Sequence, residues 1–247
     1  MKNFFGCFIV FCLFASLSFG QTKPKPKPSP AKPVAVKPAA AKKPVKKAAA
    51  PKALRIPAKP LIGETTAQTY RNERLRFEIT FPQSWLIAEK GFEAEMKKNG
   101  FDLSLKAPAF VDARSQTMFD QALKKVTVLV TAHRSTPGSA DGAIMRVSIE
   151  DLSSNPQIKD AVDYFDAVRS QYKAMSLPKD FTYSETQAEQ LGAKQFGFLD
   201  SSSNAGKKRL YATVRNGYAI IFSLSYNLDD DLQTMRQILS EGNFALK

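Results

Sequence analysis

His133 is the single histidine of the chain, so any mechanism that needs an imidazole runs through it. It closes an apolar run, Lys125 to His133, and is followed by a polar stretch holding Ser135, Ser139 and Asp141. A serine, a histidine and an aspartate hydrolyse only in a specific spatial geometry, which nearness in sequence does not supply. The Gly-x-Ser-x-Gly elbow is absent. His133 is therefore expected to be a solvated histidine at a strand end, with His133 and Asp141 as candidate contact residues of an exposed loop, 134–142. One histidine also excludes a multi-histidine zinc site within one chain.

The other chemistry-bearing patterns have plainer explanations. Ser170-Gln-Tyr-Lys173 and Ser202-Ser-Asn204 match two elements of the penicillin-binding set, but Lys-Thr-Gly is missing. The Ser-x-x-Lys also falls late in an amphipathic helix rather than at its start. Asp229, Asp230 and Asp231 are consecutive, whereas calcium loops interleave acidic ligands with other residues around a glycine turn. Helix-dipole chemistry explains the run. Walker and dinucleotide glycine patterns are absent, and no cofactor or metal is expected. Paired carboxylates for an envelope hydrolase remain open, because such pairing is spatial.

These residues sit on elements that the sequence marks out. Lys207 to Arg215 and Tyr218 to Tyr226 are β-prone runs joined by Asn216-Gly217, the strongest short-range hairpin signal. A two-residue turn places Val214 opposite Ala219, Thr213 opposite Ile220, Ala212 opposite Ile221 and Tyr211 opposite Phe222. Both faces are then largely apolar, so the hairpin is expected to be central and covered on both sides. Leu228, Leu232, Met235 and Leu239, widened by Ile238, form the stripe of a helix capped by Asn227 or Asp229 and ended by Gly242.

Upstream, the domain is expected to begin at Thr66. Leu75 to Phe81 alternates as a half-buried strand, and Trp85 to Ala88 starts a second with Trp85 as a core anchor. Phe92 to Asn99 is a short helix closed by Gly100, followed by a strand over Phe101, Leu103 and Leu105. A loop to Ser115 and a helical turn at Met118–Leu123 come next. Lys125–His133 pairs with Ala143–Leu152. Asn155-Pro156 reads as a helix start, with Ile158, Ala161, Val162, Phe165, Val168, Tyr172 and Met175 as its apolar stripe. Phe181–Gln187 and Ala193–Asp200 are strands, and 201–206 is a Ser/Asn/Gly loop. The sum is one α+β domain, 66–247, with a largely antiparallel sheet.

Tyr70-Arg-Asn, Phe77 to Phe81, Pro82 and Trp85 resemble the opening of PsbP-like domains, and Gly192, Asn216-Gly217 and Gln237-Ile-Leu-Ser240 before Phe244 resemble their close. The resemblance spans roughly 70–247. It implies an αβα sandwich around an antiparallel sheet and a binding or accessory role rather than catalysis. No family catalytic residue carries over.

Ahead of the domain the composition changes twice. Met1–Gly20 reads as a secretory signal peptide, with Lys2, an apolar stretch from Phe4 to Phe19, and small residues before Gln21. Both cysteines, Cys7 and Cys12, lie inside it, so cleavage leaves a mature chain without thiol chemistry. The expected location is extracytoplasmic, in a periplasm or secreted. Residues 21–65 read as a disordered Lys/Pro/Ala linker with almost nothing to bury. Its cations are Lys23, Lys25, Lys27, Lys32, Lys37, Lys42, Lys43, Lys46, Lys47, Lys52, Arg55 and Lys59.

The chain holds 36 Lys and Arg against 23 Asp and Glu, a net +13. Twelve of those cations lie in the linker and Lys2 is another, while every acid lies beyond residue 60. The remaining 23 cations match the 23 acids, so the domain is formally neutral. The expected function is a non-enzymatic binding or accessory protein. Its domain has a protein or ligand partner of unknown identity, and its tail contacts an anionic membrane or cell wall. Nucleic acid is the partner only if export fails.

Overall fold

Asn216 and Gly217 both adopt positive φ (53° and 77°), as a type I′ turn requires. The strands they join, β10 (Gly206–Arg215) and β11 (Tyr218–Tyr226), pair in the expected register, with Val214 opposite Ala219 and Tyr211 opposite Phe222. This computed structural model describes residues 61–89, 91–100, 103, 112–135, 142–204 and 206–246. The signal segment, the basic tail from Lys23 to Lys59, and Asp141 lie outside them.

The hairpin is the middle of a larger sheet. Strands β4 (Leu86–Ile87), β5 (Val126–His133) and β6 (Ile144–Asp151) continue it beyond β11. Strands β7 (Thr182–Tyr183), β8 (Gln187–Leu191) and β9 (Lys194–Ser203) lie beyond β10. The order is β4-β5-β6-β11-β10-β9-β7, with β8 also on β9 and every pairing antiparallel. A second sheet holds β1 (Glu64–Thr66), β2 (Thr69–Asn72) and β3 (Phe77–Thr80). The helices are α1 (Phe92–Lys98), α2 (Ala113–Leu123), α3 (Ala161–Ala174) and α4 (Asp229–Glu241).

Alternation along the hairpin feeds two cores. Phe222 belongs to one with Tyr70, Phe77, Phe196, Met235 and Phe244, supplied by the small sheet, α4 and the C-terminal segment. Its ring meets Phe77 at 5.8 Å and Phe196 at 5.9 Å, edge-on, an arrangement favoured by the ring quadrupoles. Ile221 points the other way, into a core with Phe119 of α2 and Tyr164, Phe165 and Val168 of α3. The eight-stranded sheet is thus covered on both faces, as the α+β expectation required.

Several boundaries fall elsewhere than expected. Pairing begins at Glu64, ahead of Thr66, and the Leu61 carbonyl accepts from Asn72 Nδ2 at 2.8 Å. The helical turn near Met118 is an eleven-residue helix, because Asp112 caps it by accepting from the Arg114 and Ser115 amides at 2.9 Å. Asn155-Pro156 does not start α3; Asp160 does, accepting from Val162 and Asp163. Val162 consequently faces outward at 45% exposure instead of joining the stripe. Leu228 occupies the N-cap of α4 without a side-chain bond, so neither Asn227 nor Asp229 caps it. Leu103 is buried but outside any strand, and its neighbours Phe101 and Leu105 lie outside the described residues.

Gly192 is held where no side chain fits. Its φ is +56°, and a Cβ would lie 2.1 Å from the Ser240 carbonyl oxygen at the end of α4. Gly217 shares the left-handed backbone (φ +77°) but has open space around it. Gly217→Ala is expected to cost about 1 kcal/mol, the left-handed penalty alone. Gly192→Ala adds a backbone clash and is expected to exceed about 3 kcal/mol. Urea unfolding midpoints of the two variants check the difference.

Candidate functional site

The sequence's one catalytic candidate is placed in the interior. Leu129 is an extra residue between the Val128↔Ser148 and Val130↔Val147 pairs, a bulge in β5. It moves Thr131 and His133 onto the face that Val126 and Val128 occupy, opposite Arg146 and Ile144 respectively. The imidazole is 1% exposed and lies against the Phe92 ring at 5.7 Å, so the expected solvated histidine is corrected to a buried one. Among the described residues, Nε2 meets no hydrogen-bond partner. Burial first, and the Arg146 charge second, push its pKa down to about 4. With its pKa held that low, the imidazole is a weak proton acceptor where it stands. Ser139 and Asp141 lie outside the described residues.

His133 belongs to a polar half-face that the sequence reading missed. Thr131, Arg146, Ser148, Glu150, Ser223 and Lys208 are all buried, on the face opposite the Phe222 core. Arg146 donates to the Leu103 carbonyl at 3.1 Å, and Tyr164 donates its hydroxyl to Glu150 at 3.1 Å. The alternation Arg146, Ser148, Glu150 has the period of a strand with one face in water. Only the cover supplied by other elements makes it internal.

Two carboxylates, Glu189 and Asp200, gather around Arg209 beside β8. Glu189 accepts the Tyr211 hydroxyl at 2.5 Å and pairs with Arg236. Asp200 takes both arms of Arg209, at 2.6 and 2.5 Å, while that guanidinium lies 4.3 Å over the Phe198 ring. The Tyr211 phenol is pushed up to about 12, by burial and then by Glu189. Both acids are therefore held by arginine in charge-assisted hydrogen bonds, an arrangement that ties the strands together.

The acidic run at α4 divides. Asp229 accepts from Lys207 at 2.9 Å, whereas Asp231 turns inward to Arg134 at 3.2 Å and its carboxyl is pushed up by burial. Ser170 donates its hydroxyl to the Asp166 carbonyl, inside α3. The expected 201–206 loop is shorter than the sequence suggested, because β9 runs to Ser203 and β10 starts at Gly206. An open depression of about 300 Å³ lies on the small sheet among Ile62, Glu64, Thr69, Arg71, Glu73 and Glu78. Arg71 pairs with two of its carboxylates, Glu78 at 3.2 Å and Glu73 at 3.6 Å. Among the described residues, no group of three metal-ligating side chains is assembled, and no helix is long and apolar enough to cross a membrane.

No protein-family model matches the chain, and no curated protein matches it. Among solved structures it is similar to cyanobacterial PsbP from Synechocystis sp. PCC 6803, determined in solution. The two are 14% identical, the match covers 73% of this chain and 95% of that one, and the TM-score is 0.38. The likeness carries nothing about activity or partners.

His133 makes stability depend on pH in a defined direction. Its folded pKa lies below the ordinary 6.5, so the unfolded chain binds the extra proton between about 6.5 and 4, and stability falls as pH falls through that window. Between pH 7.5 and 4.5 the loss attributable to this residue is expected to be roughly 2–3 kcal/mol. Urea unfolding of the parent and of His133→Gln at both pH values isolates it. Equal pH slopes in the two proteins would show that the imidazole does not titrate in this way.

Proposed function

We propose that this is an exported, non-enzymatic binding or accessory protein, a neutral α+β domain carried on a cationic tether that adheres to an anionic surface. The observation that carries the proposal is the division of charge: twelve cations and no acid in 21–60, against 23 of each sign beyond. Within the domain, several cations are answered locally, as in Arg71–Glu78, Arg134–Asp231, Arg209–Asp200 and Arg236–Glu189. The tail has no such partners in its own sequence. Near an anionic lipid surface each Lys or Arg contributes on the order of 1 kcal/mol. Engaging even a third of the tail therefore suffices for reversible binding, and salt releases it. As extended chain the tail reaches roughly 120 Å, long enough to hold the domain clear of the surface.

Two measurements test this reading. Co-sedimentation with anionic vesicles across a salt series compares Gln21–Lys247 with Leu61–Lys247, a truncation that keeps the Leu61 carbonyl bond and β1. Strong binding of the longer chain, lost with the tail and with salt, is the expected result. Equal binding of both would assign the surface to the domain and reduce the tail to a spacer. Mass spectrometry of the protein expressed with its leader is expected to find Gln21 as the mature N-terminus. An intact Met1–Gly20 would overturn export and revive nucleic acid as the tail's partner.

A further inference from the structure

One corner of the domain gathers cations that meet no carboxylate among the described residues. Arg76 closes the turn between β2 and β3, and Arg215 ends β10; Lys194 opens β9, where the register that runs to Ala212 opposite Gly197 continues to set it across from Arg215. Arg215 ties the corner together through carbonyls alone. Its Nη1 donates to Leu75 O at 3.1 Å and to Arg76 O at 2.8 Å, and its Nη2 donates to Phe244 O at 2.8 Å. Asn216 Nδ2 donates to Arg74 O at 3.3 Å, and Arg76 Nε donates to Leu246 O at 2.8 Å. Arg71, Arg134, Arg209 and Arg236 each meet an acid. Among the described residues, Arg76, Lys194 and Arg215 meet none.

Three like charges assembled in this way repel one another. Burial, and then the Arg215 charge, lower the pKa of the Lys194 ammonium; burial, and then Arg76, lower that of Arg215. Arg76 also sits at φ +57°, a left-handed conformation that glycine or asparagine adopts more readily. The turn thus carries a strained arginine where a smaller residue would fit it better, and held strain of this kind concentrates at binding sites. Donors remain available: the terminal nitrogens of exposed Arg76 and the whole ammonium of half-buried Lys194 make no bond among the described residues.

We propose that Arg76, Lys194 and Arg215 bind a phosphate group, giving the domain its own contact with phosphate-bearing ligands. A guanidinium fork matches phosphate oxygens in two-pronged geometry, and the lysine adds a compact charge. The site deepens the tethering reading by adding a second anionic contact, and rests on that reading only for its biological setting.

The test is an amide NMR titration of Gln21–Lys247 with inorganic phosphate at constant ionic strength, repeated with phosphatidylglycerol vesicles. Shifts at 74–76, 194 and 215–217 are expected at millimolar phosphate. Lys194→Gln, which removes no hydrogen bond, is expected to weaken the response five- to ten-fold with the rest of the spectrum unchanged. Arg76→Asn, suited to the positive φ, is expected to keep the fold and weaken it similarly. A corner that answers phosphate but not vesicles takes the free ion; one that answers both takes the head group as well. No shift with either probe, or an undiminished response in both variants, overturns the site. Tail signals report separately: their loss on vesicles in the parent and in Lys194→Gln alike supports tethering, and their indifference sinks tethering without touching the corner.

Discussion

Two adjacent strands with apolar side chains on both faces cannot stand against water on either side, and that constraint organises this protein. Ile221 and Phe222 are neighbours in β11, point in opposite directions, and are both almost wholly buried. Burying side chains of this size stabilises by about 1.5–3 kcal/mol each, so both faces need a cover. The small sheet, α4 and Phe244 supply one; α2 and α3 supply the other. The Asn216–Gly217 turn makes the arrangement local, because it sets the register through residues adjacent in sequence. Its tip also anchors the β2–β3 turn, through Arg215 and Asn216.

What was legible in the sequence follows from that locality. The hairpin register is set by two turn residues and can be read without the rest of the chain. So can the stripe of α4, where Met235, Ile238 and Leu239 are buried as their spacing demands. What was not legible depends on neighbours distant in sequence. One inserted residue, Leu129, decides which face His133 occupies, and a strict alternation cannot reveal it. Arg146, Ser148 and Glu150 have the pattern of a wet face and lie in a dry one. Asp231 reads as a dipole residue and is recruited by Arg134 instead. Asn155-Pro156 has the form of a helix start, but Ile158 is already buried and Asp160 offers the cap.

The same geometry separates structure from contact with the outside. Polar groups in and around the sheet are held there: Glu150 by Tyr164, Glu189 by Tyr211 and Arg236, Asp200 by Arg209. A carboxylate gripped by a guanidinium adds rigidity. Charge without a partner is left to the periphery, in the sequence of the tail and at the corner where Arg76, Lys194 and Arg215 meet.

The most direct measurement is residue-resolved amide hydrogen exchange under native conditions. If the doubly covered hairpin is the axis of the fold, amides of Leu210–Val214 and Ile220–Leu224 exchange last, at the free energy of global unfolding, after β1–β3 and α2 have opened. Hairpin amides that exchange as early as those of the small sheet would contradict it, and would place the stable centre of the protein elsewhere.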